Sequence, residues 1–240
     1  MNNLFSLFRK IDSLFSGANI RNFCDIIPFS VTLFTIISIF FATFTLDMIL
    51  DIHTHNAQAH AQTLETVGIH PWHALVGEVA EVERLAPQKD AIGEIGLDYA
   101  CEVPHEAQMV VFRAQLALAE RLEKPVVLHC VRAFEDTMKE VGKYDLKAVI
   151  FHGFIGSVEQ AQRAVNQGYY LSFGERTFRS PKSIEALRSV PLSHLFVETD
   201  ESTTPIEEIY AKIAELRGVE VSELLNATEA NFKRIFQKGR

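Results

Sequence analysis

The segment Met48-Ile49-Leu50-Asp51-Ile52-His53-Thr54-His55 is a short apolar run that ends in two histidines. Its length and composition predict a β-strand, and side chains at alternate strand positions point to the same face. His53 and His55 can therefore converge on one point, which is a natural beginning for a divalent-metal site. A single His-x-His pair fits a strand end with two solvated histidines equally well, so other segments must decide.

The chain has 240 residues, of which 48% are hydrophobic, and a formal net charge of -8. This length and composition fit one large globular domain, or one domain with an appendage. The negative charge argues against a broad nucleic-acid-binding surface, but it allows a metal site that handles phosphates, since bound cations invert the local field. The three cysteines have no Cys-x-x-Cys spacing, which favours a reducing compartment and a cytoplasmic location.

Residues 1–47 differ in composition from the rest of the chain. They hold nine of the 18 phenylalanines, and residues 26–46 contain no charged side chain. That run is about long enough to cross a bilayer as a helix, and the basic residues before it would keep the N-terminus inside. One interpretation is therefore an inner-membrane anchor through residues 26–46. The preferred interpretation is an over-extended translation start, with the natural protein beginning at Met48 and the working domain covering residues 48–240.

From Met48 onward, short apolar runs alternate with amphipathic stretches. Most of the runs are apolar at nearly every position, which is typical of parallel strands buried on both faces. The seven predicted strands are Ile49–His53, Thr66–Ile69, Ala91–Ile95, Val126–His129, Ala148–His152, Tyr169–Phe173 and Leu195–Thr199. Predicted helices between and after them include Glu106–Leu122, helices that begin after the capping residues Ser157, Ser180 and Thr204, and a last one that ends near Phe236.

Repeated strand–helix units of roughly 25–35 residues imply right-handed crossovers between parallel strands. We therefore predict an α/β fold, most simply a TIM-type (β/α) barrel. A doubly wound open sheet is the alternative, but no glycine-rich phosphate loop follows the first strand.

Five of the predicted strands deliver a metal-binding residue type at or near their carboxyl ends. These residues are His53, His55, Glu94, His129, His152 and Asp200. In a barrel the carboxyl ends of the strands share one rim, where active sites are built. Each residue alone has a simpler explanation, such as a solvated loop or a capped turn. Six of them at the same end of the strands favour a site for two divalent ions with one bridging carboxylate.

Other polar residues have weaker claims to the site. His70 follows a strand and can face the same rim, although a surface turn explains it equally well. Arg132 is a candidate for contact with a substrate anion, although a surface salt bridge is the commoner fate. Asp98 either orients a metal ligand or caps a loop. Cys130 is interpreted as buried packing because no activating base lies beside it.

Several segments resemble the TatD family of metal-dependent hydrolases. They are Asp51-Ile-His-Thr-His55, Gly68-Ile-His-Pro71, Gly93-Glu-Ile-Gly-Leu-Asp-Tyr99, Pro125-Val-Val-Leu-His129, Phe151-His-Gly-Phe-Ile-Gly-Ser157, Glu198-Thr-Asp200 and Asn231-Phe-Lys-Arg-Ile-Phe236. The resemblance implies a TIM-type barrel and a magnesium-dependent or similar phosphodiesterase, usually described as a deoxyribonuclease. It also implies that the same six residues are the metal ligands and that Glu94 bridges the two ions.

The chain departs from this family in three places. Between His55 and Gly68 it is shorter, which predicts a missing βα unit and a barrel of seven strands. After Asp200 the loop is shorter and lacks the family's Arg-Asn pair. The family's arginine two residues beyond His129 is replaced by Val131, and Arg132 stands one position later. The predicted metal site is therefore complete, whereas the predicted substrate rim is reduced.

We therefore expect a metal-dependent hydrolase that cleaves phosphoester bonds with two divalent ions, Mg²⁺ first and Mn²⁺ or Zn²⁺ as alternatives. Asp200 is expected to orient or deprotonate the attacking water, and Glu94 to hold both ions. His70 and Arg132 are the candidates for substrate binding. The expected partner is a nucleic-acid end or a small phosphoester, with no protein partner and with membrane contact only if residues 1–47 are native.

Two alternatives remain at this point. One is an amidohydrolase-like enzyme that cleaves C–N or ester bonds with the same ligands. The other is a non-catalytic, membrane-tethered metal-binding protein.

Overall fold

A computed structural model describes residues 49–237 of the chain. The predictions for residues 1–47, an anchor or an over-extended start, lie outside the described residues. Within the described part, every helix is too short or too polar to span a membrane.

Short parallel strands alternate with helices along the described chain. The strands are β1 (Ile49–Asp51), β2 (Ala61–Thr63), β3 (Thr66–Val67), β4 (Ala91–Asp98), β5 (Val126–Val131), β6 (Val149–Phe151), β7 (Tyr170–Phe173) and β8 (Leu195–Val197). The α-helices are α1 (Val79–Leu85), α2 (His105–Arg121), α3 (Phe134–Val141), α4 (Val158–Asn166), α5 (Pro181–Ser189), α6 (Ile206–Arg217) and α7 (Val221–Phe236).

The strands follow one another in the order of a TIM-type (β/α) barrel. β1 pairs with β2, and β3 to β8 form a six-stranded parallel sheet in sequential order. Only Leu64 and Glu65 separate β2 from β3. On the other side, the main-chain N–H of Ile52 donates to the carbonyl of Val197 (3.1 Å), and the N–H of Asp200 donates to the carbonyl of His53 (3.0 Å). The end of β8 is thereby joined to the end of β1.

The strand count differs from the prediction of seven. The additional strand, β2, has the sequence Ala-Gln-Thr and no fully buried side chain, so no apolar run marks it. It forms because its backbone pairs with β1. Residues 52–65 contain no helix, so the helix of one βα unit is absent as expected, but the strand of that unit is partly retained.

The near-continuous apolar strands are explained by burial on both faces. Val126 and Leu128 of β5 pack in the main hydrophobic core, whereas Val127 between them packs in a second cluster with Leu50 and Phe196. α7 also contributes to this second cluster. Successive side chains of β5 therefore point alternately into two apolar clusters, instead of alternately into a core and into water.

Two of the three predicted helix caps are present in the structure. Ser157 and Gln160 form the predicted capping box, and Ser180 caps the helix that begins at Pro181. Gly218 closes α6 in a left-handed conformation, with φ of 65°. The predicted cap at Thr204 is wrong, because its hydroxyl instead donates to Glu175 at 3.2 Å.

An ion pair between a buried carboxylate and a half-exposed arginine joins α2 to α3. Glu140, whose side chain is 4% exposed, accepts hydrogen bonds from Arg113 Nε (2.7 Å) and from Lys143 Nζ (2.8 Å). The hydrogen bond from Arg113 and the nearby Lys143 lower the pKa of Glu140 to about 2. A carboxyl with a lowered folded-state pKa stabilises the fold above its unfolded pKa and loses that contribution as the pH falls towards the folded value.

We expect Glu140→Gln to lower the free energy of unfolding at pH 7 by about 1–2 kcal/mol, because charge-assisted hydrogen bonds are lost. The difference from wild type should shrink as the pH falls below about 4.5, where the unfolded carboxylate becomes protonated. Urea denaturation followed by circular dichroism at pH 7, 5 and 4 measures both effects. The control is Glu135→Gln, which breaks a surface ion pair. In that pair the side chain of Glu135 is 69% exposed and that of Arg163 is 51% exposed. Equal losses in both variants would contradict this account.

Candidate metal centre

The structure brings all six predicted ligands together at the carboxyl ends of the strands. They lie after β1 (His53 and His55), within β4 and β5 (Glu94 and His129), after β6 (His152) and after β8 (Asp200). In each three-residue group that they form, the possible ligand atoms lie within 4.8 Å of one another. Four such groups exist among the described residues when His70 and Glu198 are included, and Glu94 belongs to two of them.

The first ligand group consists of His53, His55 and Asp200, and it faces one oxygen of Glu94. Glu94 Oε1 lies 3.1 Å from His53 Nε2 and 3.2 Å from His55 Nε2. Asp200 Oδ1 lies 3.9 Å and 3.7 Å from the same two nitrogens. His53 Nε2 is buried and lacks a hydrogen-bond partner among the described residues. A buried nitrogen of this kind fits a cation ligand.

The second ligand group consists of His129 and His152, and it faces the other oxygen of Glu94. Glu94 Oε2 lies 2.7 Å from His152 Nε2 and 3.6 Å from His129 Nδ1. The two imidazole nitrogens are 3.4 Å apart. Because each carboxylate oxygen of Glu94 faces a different group, this residue has the position that a bridging ligand requires.

The electrostatics of the centre call for positive charge. Burial disfavours the charged form of Glu94, but the nearby imidazoles of His129, His152 and His53 hold its pKa well below the usual range. Burial likewise opposes protonation of His152, yet Glu198 and Glu94 outweigh it and raise the pKa of His152 to about 10. Donors of this chemistry, imidazole nitrogens and carboxylate oxygens, suit divalent cations.

Asp98 holds His129 in the orientation that the second group needs. Asp98 Oδ2 lies 3.2 Å from His129 Nε2 and accepts a hydrogen bond from Trp72 Nε1 at 2.7 Å. Since Nε2 of His129 is engaged by Asp98, Nδ1 is left to face Glu94. The other oxygen, Oδ1, accepts a hydrogen bond from the main-chain N–H of Ala100 at 2.8 Å, so the geometry is compatible with both predicted roles of Asp98, orienting a ligand and capping a loop.

Three further residues at the centre escaped the sequence prediction. Glu198 is fully buried, with Oε1 3.8 Å from His152 Nδ1. Asp51, whose pKa is raised by burial to about 6, accepts a hydrogen bond from the hydroxyl of Thr199 at 2.6 Å. Arg176 NH1 lies 3.8 Å from Asp200 Oδ2. Asp51 and Glu198 stand inside the quoted motifs, two positions before the predicted ligands His53 and Asp200, and that spacing is the signal that could have found them.

The two predicted substrate-binding residues have different positions. His70 Nε2 lies 3.9 Å from Glu94 Oε2, so this side chain is at the centre. Burial and the neighbouring His129 lower the pKa of His70 to about 4, which makes the ring neutral at pH 7. Arg132 lines a cavity of about 390 Å³ beside His152 instead of contacting the ligand groups. Cys130 lines the same cavity, and burial raises its pKa to about 11, as expected for a packing residue.

We expect Glu94→Gln to weaken Mn²⁺ binding at both ligand groups, because its two oxygens face one group each. Asp98→Asn should weaken only the ion held by His129, about 10- to 100-fold, since it supports a single ligand. Isothermal titration of the full chain with Mn²⁺ separates the two events.

His60→Gln is the matched control for this titration, because His60 is exposed and paired with Glu207 at 2.7 Å. Wild-type Mn²⁺ binding by Glu94→Gln would refute the bridging position.

Comparison with known proteins identifies similar chains. The family described as TatD related DNase matches residues 34–237. An uncharacterized metal-dependent hydrolase of Bacillus subtilis, YabD, is 32% identical over 194 residues, which cover 71% of this chain and 76% of that protein. The 3'-5' ssDNA/RNA exonuclease TatD of Erwinia tasmaniensis is 33% identical over 201 residues, covering 71% and 77%.

A solved structure has the same fold. The crystal structure of YjjV, a TatD homolog from Escherichia coli, superimposes with a TM-score of 0.71 at 24% sequence identity. The match covers 81% of this chain and all of that one. The prediction of a TIM-type barrel is confirmed.

Proposed function

The chain belongs to the TatD family of metal-dependent hydrolases, and from that premise we propose that it hydrolyses phosphodiester bonds at the end of a nucleic-acid strand. The position of Glu94 between two ligand groups carries this proposal, since paired divalent ions are the common catalyst for phosphodiester cleavage. The similar exonuclease of Erwinia tasmaniensis supports the choice of nucleic acid as substrate.

We propose that His53, His55 and Asp200 hold one divalent ion, that His129 and His152 hold a second, and that Glu94 bridges them. When bound, the ions would polarise a phosphoryl oxygen and lower the pKa of a water molecule. Mg²⁺ is the expected ion from the family resemblance. The imidazole donors also suit Mn²⁺ and Zn²⁺, so the rank order of ions in an activity assay tests this choice.

Asp200 is the proposed residue that orients or deprotonates the attacking water. One carboxylate oxygen, Oδ1, faces His53 and His55, while Oδ2 faces Arg176. Burial and the neighbouring carboxylate of Glu198 raise the pKa of Asp200, which makes it a stronger base than an exposed aspartate.

The proposed phosphate contacts come from His70, Arg132 and Arg176. His70 Nδ1 accepts a hydrogen bond from the main-chain N–H of Trp72 (3.2 Å), so the neutral ring carries its proton on Nε2. That proton faces the metal centre and can be donated to a phosphoryl oxygen. Arg132 lines the same cavity as His152, and Arg176 NH1 lies 3.8 Å from Asp200 Oδ2, so each ligand group has an arginine on the side from which a phosphate could approach.

Action at a strand end fits the shape and charge of the rim. The loop after Asp200 is short, and the hydroxyls of Ser202 and Thr204 bind it to Glu175. The net charge of -8 argues against a broad basic groove for a duplex. We propose a cytoplasmic location because Cys101 and Cys130 are free thiols in the described part of the chain.

We expect the full chain with Mg²⁺ or Mn²⁺ to shorten an end-labelled single-stranded oligonucleotide. Asp200→Asn should lower kcat at least about 100-fold, because general-base catalysis is lost, with an unchanged circular dichroism spectrum. The control is Asp145→Asn, an exposed aspartate away from the centre.

A panel of lactones and amides runs in parallel. Cleavage of those substrates without cleavage of the oligonucleotide would establish the amidohydrolase-like alternative and end this proposal.

Arg176→Gln is expected to raise KM for the oligonucleotide about tenfold with kcat changed less than about threefold, because a charge-assisted contact to phosphate is worth 1–2 kcal/mol. Steady-state kinetics at fixed salt measures both constants. Arg121→Gln is the matched control, since this exposed arginine pairs with Glu83 on the outer helices. An unchanged KM in Arg176→Gln would remove this residue from the substrate site.

A further inference from the structure

Trp72 is the single tryptophan of the chain, and it lies beside the metal centre with 54% of its surface exposed. It belongs to the 3₁₀-helix Pro71–His73, which follows β3. The side chain is anchored, since Nε1 donates to Asp98 Oδ2 at 2.7 Å. The same oxygen lies 3.2 Å from His129 Nε2. One carboxylate oxygen therefore fixes the indole relative to a proposed metal ligand.

The indole is open to a further ring. The imidazoles of His70 and His129 approach it with centroid distances of 4.8 and 6.2 Å and interplanar angles of 82° and 72°. Neither imidazole lies parallel to the indole. The same loop also exposes Leu75 (66%) and Val76 (79%), which extend the apolar surface. Isolated exposed apolar residues are common and need no functional explanation. Trp72 differs from them because its exposed indole is hydrogen-bonded to Asp98, which also contacts the proposed metal ligand His129.

We propose that Trp72 binds substrate by stacking its exposed ring on the base next to the bond that is cleaved. This inference rests on the proposed function, since only a nucleic-acid phosphodiester brings a base beside the centre. An aromatic ring stacks on every base, so the contact is tolerant of sequence. It requires an unstacked base, and the bases within a duplex are covered by their neighbours. Trp72 therefore selects single strands and frayed ends over intact duplex.

Fluorescence tests the contact without any need for turnover. Because the chain has one tryptophan, its emission reports on Trp72 alone. The full chain in Mg²⁺ is titrated with an oligothymidylate whose phosphorothioate linkages resist hydrolysis. We expect this probe to quench the emission and an abasic oligomer of the same length and charge to leave it unchanged. Equal emission changes with both probes, or none with either, would overturn the proposal.

Kinetics separates stacking from a purely positioning role through Asp98. Trp72→Ala removes the ring and the N–H, whereas Trp72→Phe keeps a ring and loses only the donor. We expect Trp72→Ala to raise KM for a single-stranded oligonucleotide about tenfold and Trp72→Phe about twofold, with kcat nearly constant. Neither variant should change KM for the abasic oligomer. Val110→Ala, at an exposed position of α2 (65%), is the control and should behave as wild type.

The possible outcomes distinguish this inference from the proposed function. Equal losses of kcat in both Trp72 variants, on base-bearing and abasic substrates alike, would mean that Trp72 acts only by positioning Asp98, and stacking would be refuted. Base-dependent quenching by a chain that cleaves no phosphodiester would support stacking and refute the proposed hydrolysis. Cleavage of phosphodiesters with an unchanged KM in Trp72→Ala would support the proposed hydrolysis and refute stacking.

Discussion

The carboxylate of Glu94 lies among four imidazoles, and a nearly buried carboxylate in that position needs positive charge or hydrogen bonds around it. Nitrogens of the four histidines lie 2.7 to 3.6 Å from its two oxygens. These histidines come from the ends of β1, β5 and β6, so the arrangement exists only when the strands keep their register. A slip of one residue in β5 would turn His129 to the opposite face. Fold and site thus depend on the same constraint.

The glycines that flank Glu94 allow β5 to approach. A Cβ atom added to Gly96 would lie 2.0 Å from the carbonyl oxygen of His129, and one added to Gly93 would lie 2.7 Å from Cβ of Val127. Gly96 also has φ of 142°, which side chains rarely adopt. The close contact places His129 beside Glu94 and coincides with a register shift in the β4–β5 pairing. In the Gly-Glu-Ile-Gly sequence, the glycines are therefore required by the close approach of β5, and the glutamate by the proposed metal chemistry.

Strand ends and helix caps were predictable because their signals are local. The apolar runs gave the order of the strands, and the alternation of side chains brought His53 and His55 to one face. β2 escaped prediction because only its pairing with β1 makes it a strand. Side-chain contacts between neighbouring strand ends carry no spacing signal, as with Trp72 after β3 and Asp98 at the end of β4, which are 26 residues apart. The six side chains predicted as metal ligands meet as expected, while their role as ligands stays a prediction.

The charges at the centre impose an order on binding. Glu94, Glu198 and Asp200 place three acidic side chains at the strand ends of a chain whose net charge is -8. A phosphate is repelled by this cluster until cations neutralise it, so under the proposed function ion binding precedes substrate binding. The proposed phosphate contacts of Arg132 and Arg176 would weaken as salt is added, because phosphate contacts exchange with counterions. Stacking on Trp72 involves no counterion release. An acidic protein can therefore retain a strand end through one aromatic contact and two ions, without the basic surface that duplex binding demands.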